Sequence, residues 1–198
     1  MRRTLNTGDR GRIRQPVGGQ VTVLEADTFP LTTDEIASYL REPCDEDTML
    51  SLLPSAVQVC KQYLGHSLSK EKIRAYYQNV SFRVKLPLGP HSQISVERQE
   101  ADGTFTAVAG ADYLTWGDTF KTLEFRRIFS VSTYDGNFRV RITYTSGYDA
   151  NSVQIKAMKT AVLKVIADMY FNRSSFANAS MYTLPVDAQL ILNPFKEG

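Results

Sequence analysis

The apolar residues change period twice along the chain, and that double switch restricts the fold more than any other feature. From Met49 to Leu64 they recur at three- and four-residue spacing. Over residues 70–148 they alternate with polar residues, and from Ile155 to Tyr170 they return to helical spacing. A period of about 3.6 residues gives one apolar helix face, and a period of about 2 gives a half-buried strand. The order is therefore helices, then sheet, then helix. Two helical segments far apart in sequence can share one core, with the strands as an insertion between them.

The first helical block runs over residues 31–68. Thr32 followed by Glu35 is a capping box, in which each side chain satisfies an orphan backbone N–H of the first turn. Ile36, Tyr39 and Leu40 form the apolar face of this short helix, and Pro43 marks its end. Asp45, Glu46 and Asp47 then place acids where a second helix dipole favours them. Met49, Leu50, Leu53, Ala56, Val57, Cys60, Tyr63 and Leu64 form its face, and Gly65 is its stop. Pro54 is discordant. Inside a helix it removes a hydrogen bond and crowds the Leu50 carbonyl, at a cost of about 3 kcal/mol, so the spacing predicts a kink or a helix that starts at Pro54. After the strands, Asn151 or Ser152 can cap a helix whose face is Ile155, Met158, Val162, Val165, Ile166, Met169 and Tyr170. Lys156, Lys159, Lys164 and Asp168 lie mostly opposite.

Within residues 70–148, Val80–Leu88 and Phe138–Tyr144 alternate as antiparallel strands. Ile94–Gln99 and Thr104–Val108 flank the hairpin signal Asp102-Gly103, Asp135-Gly136 marks another turn, and Tyr113–Trp116 and Thr122–Phe125 complete a set of six to eight strands. The expected class is α+β: a small bundle of long helices from the N- and C-terminal parts, with an inserted antiparallel β-subdomain. The expected divisions are an extended basic arm (1–30), a helical core (31–68 plus 151–173), the β-subdomain (70–148) and a C-terminal tail (174–198) of low helical order. Gln20–Leu24 can pair as a short strand within the arm.

Net charge is +2, but it is unevenly distributed: five arginines (Arg2, Arg3, Arg10, Arg12, Arg14) face one acid, Asp9, in the first 24 residues. Such an arm binds phosphates without reading sequence, or orders on a protein partner. Arg83 with Lys85, or Arg139 with Arg141, would extend a basic patch, although strand arginines are more often a solvated face. Motifs for catalysis are lacking: there is no GxSxG elbow, no phosphate-binding Gly-Lys-Ser/Thr loop and no HExxH. His66, after the helix stop, reads as a surface or capping residue and His91 as part of a turn. Two cysteines 16 apart and two histidines 25 apart lack the characteristic ligand spacing that a Cys/His zinc knuckle needs. Asp45–Asp47 read as helix N-terminal acids rather than a cation site, and a Cys44–Cys60 bridge is not expected. No stretch approaches the ~20 apolar residues of a membrane span, and the first residues lack a signal-peptide core. The residues thus predict a soluble, intracellular, non-enzymatic chain with no metal and no cofactor.

Several segments together resemble the head–tail connector (adaptor, head-completion) proteins of tailed bacteriophages. Leu31-Thr32…Glu35-Ile36…Tyr39-Leu40-Arg41, the acids from Asp45, and the helix closing in Tyr63-Leu64-Gly65-His66 are similar to that family's opening. Ile142-Thr143-Tyr144-Thr145-Ser146-Gly147-Tyr148 looks like its strand into a "YTAGY" motif, and Tyr170-Phe171-Asn172-Arg173 like the close of its second long helix. Leu190-Ile191-Leu192-Asn193-Pro194-Phe195-Lys196 resembles its closing "LL.PYR". Mid-helix Pro54 departs from the pattern, and the arm before Leu31 lies outside it. The resemblance implies a ring, usually of twelve subunits, beneath the portal protein in the virion neck, assembled in the host cytoplasm. Such a ring presents a surface to a tail-side or tail-terminator protein and lines the DNA channel. Leu190, Ile191, Leu192, Pro194 and Phe195 would make an unfavourable exposed patch on a monomer, and together with Tyr182 and Leu184 they are the expected portal-docking residues. The arm arginines are the expected contacts to a partner or to DNA. The alternative is a DNA-binding protein that works through the arm.

Overall fold

The structure, a computed structural model, describes residues 20–41, 45–77, 83–100, 102–126, 140–172 and 184–196. Its strands are β1 (Gln20–Ala26), β2 (Glu71–Tyr77), β3 (Arg83–Lys85), β4 (His91–Gln99), β5 (Phe105–Ala107), β6 (Tyr113–Trp116), β7 (Thr122–Phe125) and β8 (Val140–Ser146). Its helices are α1 (Thr33–Leu40), α2 (Glu46–Leu64), α3 (Val153–Phe171) and α4 (Val186–Leu192). The chain is α+β, as expected, but only two of the four described helices are long.

Local signals set most helix ends. The Thr32–Glu35 capping box forms: the Glu35 N–H donates to Thr32 Oγ1 at 3.2 Å, and the Thr32 N–H donates to Glu35 Oε2 at 2.9 Å. Helix α1 stops at Leu40 because Arg41 adopts the left-handed conformation (φ 56°), before Pro43 is reached. Asp45 caps α2, accepting from the Thr48 N–H at 2.7 Å, and Gly65 ends it in the left-handed conformation. Helix α2 does not begin at Pro54; it runs from Glu46 through the proline, which lies on an exposed face. The helix tolerates the lost hydrogen bond because Met49, Ala56, Cys60 and Leu64 anchor both sides of it. Leu50, assigned by spacing to the apolar face, is 52% exposed.

The larger departure is at the C-terminus. The tail expected to be irregular forms α4 and a 3₁₀ turn over Asn193–Phe195. Helix α4 has no side-chain N-cap. A seven-residue helix is not stable alone, and α4 is held by packing. Ala188 and Leu192 are fully buried, with Leu184, in a core that also takes Ile36, Cys60, Leu64, Ile155, Val162, Val165 and Ile166.

The strands make two antiparallel sheets, one ordered β1-β2-β8-β4-β5 and the other β3-β7-β6. Their facing sides share a second core: Ile73, Ala75, Tyr77, Val96, Val140, Ile142 and Tyr144 from the larger sheet, Val84, Leu123 and Phe125 from the smaller, and Leu86 just after β3. Strand β2 was not singled out by the sequence pattern. Strand β1, at the end of the arm, joins the larger sheet, so that sheet takes a strand from before the helices as well as from residues 70–148. Val80, Phe82, Phe138, Arg139, Asp135-Gly136 and Cys44 lie outside the described residues. Cys60 is buried and free, and burial pushes its thiol up to about 12. No helix among the described residues is long and apolar enough to cross a membrane.

Candidate assembly surfaces

The two cores meet at a seam built from short-range sequence features. Gly147 (φ 93°) follows β8, and its N–H donates to the Pro90 carbonyl at 3.1 Å. The Tyr148 N–H donates to the Leu68 carbonyl at 3.1 Å, and Tyr148 bridges to Ser69. Lys61 at the end of α2 pairs with Glu71 at the start of β2 at 2.6 Å, and Ser67 Oγ donates to the same carboxylate. The "TSGY" stretch is thus the turn by which the sheet hands the chain to α3.

Both histidines are buried in this region, against the expectation of surface or loop positions. His66 is fully buried: its Nε2 lies 2.7 Å from the Phe195 carbonyl oxygen and its ring 5.5 Å from that of Phe120. His91 Nε2 donates to the Pro87 carbonyl at 2.9 Å, while its Nδ1 accepts from the Lys121 N–H at 3.0 Å. That pattern is a neutral imidazole used as a structural bridge. Asp45 is occupied as a helix cap. Among the described residues no group of three or more His, Cys, Asp or Glu could hold a metal ion.

Of the strand cations that could extend a basic patch, Arg83 and Arg141 are engaged with carboxylates. Arg83 Nε donates to Glu124 at 2.8 Å. Arg141 grips Glu97 with two hydrogen bonds of 2.6 Å and lies 4.1 Å from the centre of the Phe105 ring. This bidentate donation by Arg141 holds the Glu97 carboxyl below the usual carboxylate range. A carboxyl with a depressed folded-state pKa stabilises the fold above its unfolded pKa, and the contribution disappears as pH falls through the folded value. Glu97→Gln is therefore expected to destabilise at pH 7 and to differ less from the wild type at pH 3. Urea unfolding at the two pH values checks this, and a gap that does not narrow would contradict it. The arm arginines themselves (Arg2, Arg3, Arg10, Arg12, Arg14) lie outside the described residues.

The residues expected to dock on a portal separate into three groups. Leu184 and Leu192 are 5% and 0% exposed, taken up by this chain's own core. Ile191 and Phe195 are partly buried against that core, and Tyr63 Oη donates to Asn193 Oδ1 at 2.6 Å, which ties the 3₁₀ turn to α2. Only Leu190, 65% exposed, and Pro194 face solvent. Tyr182 lies outside the described residues. The premise of an exposed patch on the monomer is thus corrected for Leu192, and Leu184 is buried as well: α4 folds back on α3 and uses both.

In exchange, the fold exposes apolar residues that spacing assigned to the core or left unnoticed. Val186, 69% exposed, lies one turn before Leu190 on α4. It lines an open groove with Tyr39, Phe171, Ala167 and Pro185, rimmed by Lys164, Asp168 and Asp187. Tyr39 and Phe171 are 40% and 56% exposed. The available sign was the i, i+4 pair Val186/Leu190, legible only once the segment is known to be helical. A second apolar surface is the edge strand β1, with Val21, Val23 and Leu24 exposed. A third is Trp116 at the end of β6.

No protein-family model matches the sequence, and no curated protein does. Solved structures do share the fold. A chain in the neck of an empty gene transfer agent particle, computed with C6 symmetry, superposes with a TM-score of 0.70 at 18% identity, covering 90% of this chain and 96% of that one. A chain in the virion of a native gene transfer agent particle gives 0.69 at 18% identity over 90% and 95%. A chain in the neck of the native particle, computed with C12 symmetry, gives 0.60 at 19% identity over 89% and 96%. The chain therefore has the fold of these neck and virion chains across nearly the whole length of each.

Proposed function

We propose that this protein is a structural head-to-tail adaptor: a subunit of a ring, of twelve copies, set beneath the portal in the neck of a tailed phage or phage-like particle. The observation that carries the reading is the shared fold, which spans both the helical and the sheet halves and almost all of the gene transfer agent chains. The ordered sequence motifs from Leu31 to Lys196 support the same conclusion independently. The protein works by presenting surfaces rather than by chemistry, in keeping with two histidines whose ring nitrogens are engaged with the backbone.

In this reading the portal meets the solvent face of α4, through Leu190, Val186 and Pro194 with Phe171 and Tyr39 alongside. Leu184 and Leu192 hold that face in place from below. The arginine arm contacts a tail-side protein or the DNA passing through the channel during ejection, and assembly takes place in the host cytoplasm. The rival is a DNA-binding protein working through the arm, and the engagement of Arg83 and Arg141 with Glu124 and Glu97 bears only on whether a basic patch extends from the arm onto the sheet. Electron microscopy of the purified chain with and without portal complexes tests the proposal, because a neck ring is directly visible.

A further inference from the structure

Strand β1 is exposed at all seven positions although it belongs to a sheet with a buried apolar core. Its register explains how. Val21 pairs with Ala75 and Val23 with Ile73, and residues directly opposite one another share a face of the sheet. Ala75 and Ile73 are fully buried in the sandwich core, so Val21 and Val23 point to that same face, yet they are 41% and 45% exposed. The small sheet covers the core face as far as β2 and leaves the last strand bare.

Edge strands of soluble monomers carry lysines, prolines or inward charges that prevent further pairing. The β1 sequence, Gln-Val-Thr-Val-Leu-Glu-Ala, has none of the first two, and its one charge, Glu25, pairs with Lys72. The register shift at Leu24 is its one irregularity. Among the described residues β1 pairs on one side only, with β2, and the opposite edge of the same sheet is β5, where Thr106 and Ala107 are exposed.

We propose that the β1 edge, with its Val21/Val23 face, is the contact between neighbouring copies of this chain, docking against the β5 edge of the next copy. This rests on the ring reading and deepens it. A cyclic ring of more than two copies needs head-to-tail contacts, in which two different surfaces on opposite sides of one subunit meet. The two ends of one sheet are such a pair, and joining them gives β1 a partner on the edge that is unpaired among the described residues and covers the exposed valines.

The test uses two full-length variants, Val21→Lys/Val23→Lys on β1 and Thr106→Lys/Ala107→Lys on β5, with oligomer mass read by sedimentation and thermal unfolding as the folding control. Each variant alone is expected to weaken self-association at least tenfold while melting like the wild type. Mixed one to one, they should form dimers that grow no further, because one intact β1 edge meets one intact β5 edge. Val21→Thr/Val23→Thr, which keeps strand propensity, replaces the lysine variant if that one does not fold. Normal rings from either variant, or self-association lost only with the β1 variant, would overturn the proposal, the latter pointing to symmetric β1–β1 pairing. A wild-type chain that never assembles, with or without portal, would instead remove the ring reading beneath it.

Discussion

Leu192→Ala is expected to lower the unfolding free energy by about 2–5 kcal/mol, the cost of emptying a fully buried leucine site, or roughly 5–20 °C in melting temperature for a domain of this size. Leu190→Ala, two residues away and 65% exposed, is expected to change monomer stability by less than about 0.5 kcal/mol. If α4 presents its outer face to a portal, the ranking reverses for attachment. Leu190→Ala, or better Val186→Ser with Leu190→Ser, should lose portal binding in a chain that melts normally. Thermal denaturation with a portal pull-down separates the two effects. Equal destabilisation by both leucine variants would mean that α4 does not pack as described. The same geometry makes truncation before Leu184 a poor test of docking. It would remove Leu184, Ala188 and Leu192 from the helical core and Phe195 from His66.

The second large effect is expected at Gly147. Its φ of 93° lies where an L side chain is strained, and an added Cβ would fall within the radius of the Ser69 carbonyl oxygen, a backbone atom that cannot swing aside. Gly147→Ala should therefore cost on the order of 3 kcal/mol or more, the sum of left-handed strain and displaced backbone. Because the turn ties β8 to Leu68, Ser69 and Pro90, the loss should reach both halves. Hydrogen exchange is expected to rise in β8 and at the start of α3 together. Gly110, which has open space around its Cβ position, is the control, and Gly110→Ala should be close to neutral. An alanine at 147 that left both melting and exchange unchanged would remove the seam from the account.

Which parts of this molecule could be read from its sequence follows from where the stabilising contacts lie. The capping box at Thr32, the Asp45 cap, the Gly65 stop and strands β6 and β7 depend on residues within a few positions of one another, and the sequence shows them directly. Helix α4 could not be read this way. Seven residues without a side-chain cap carry little helical preference, and what makes them a helix is packing into a core shared by α3 and by Ile36, Cys60 and Leu64, far away in sequence. The burial of His66 is non-local for the same reason: its lid is the Phe195 carbonyl and the Phe120 ring. Strand β2 is hidden because Ala75 weakens its apolar alternation, and β1 is legible as a short strand at Gln20–Leu24 although its partner, some fifty residues away, is not. Exposure near the C-terminus therefore differs in detail from the sequence reading: Leu192, placed in an exposed patch, is fully buried, and Tyr39, placed on an apolar helix face, is 40% exposed. The motif order still pointed to the fold, since the family-like segments sit at the caps, the seam and the packed faces.

The central claim is that this chain works as a ring at a portal. The most direct measurement is cryo-electron microscopy of the wild-type protein mixed with portal complexes, with class averages computed without imposed symmetry. The account predicts a closed ring stacked coaxially on the portal, of twelve subunits, with the solvent face of α4 toward the portal. Portal complexes that remain bare at protein concentrations well above those in an assembling cell would contradict it, as would monomers bound at irregular positions.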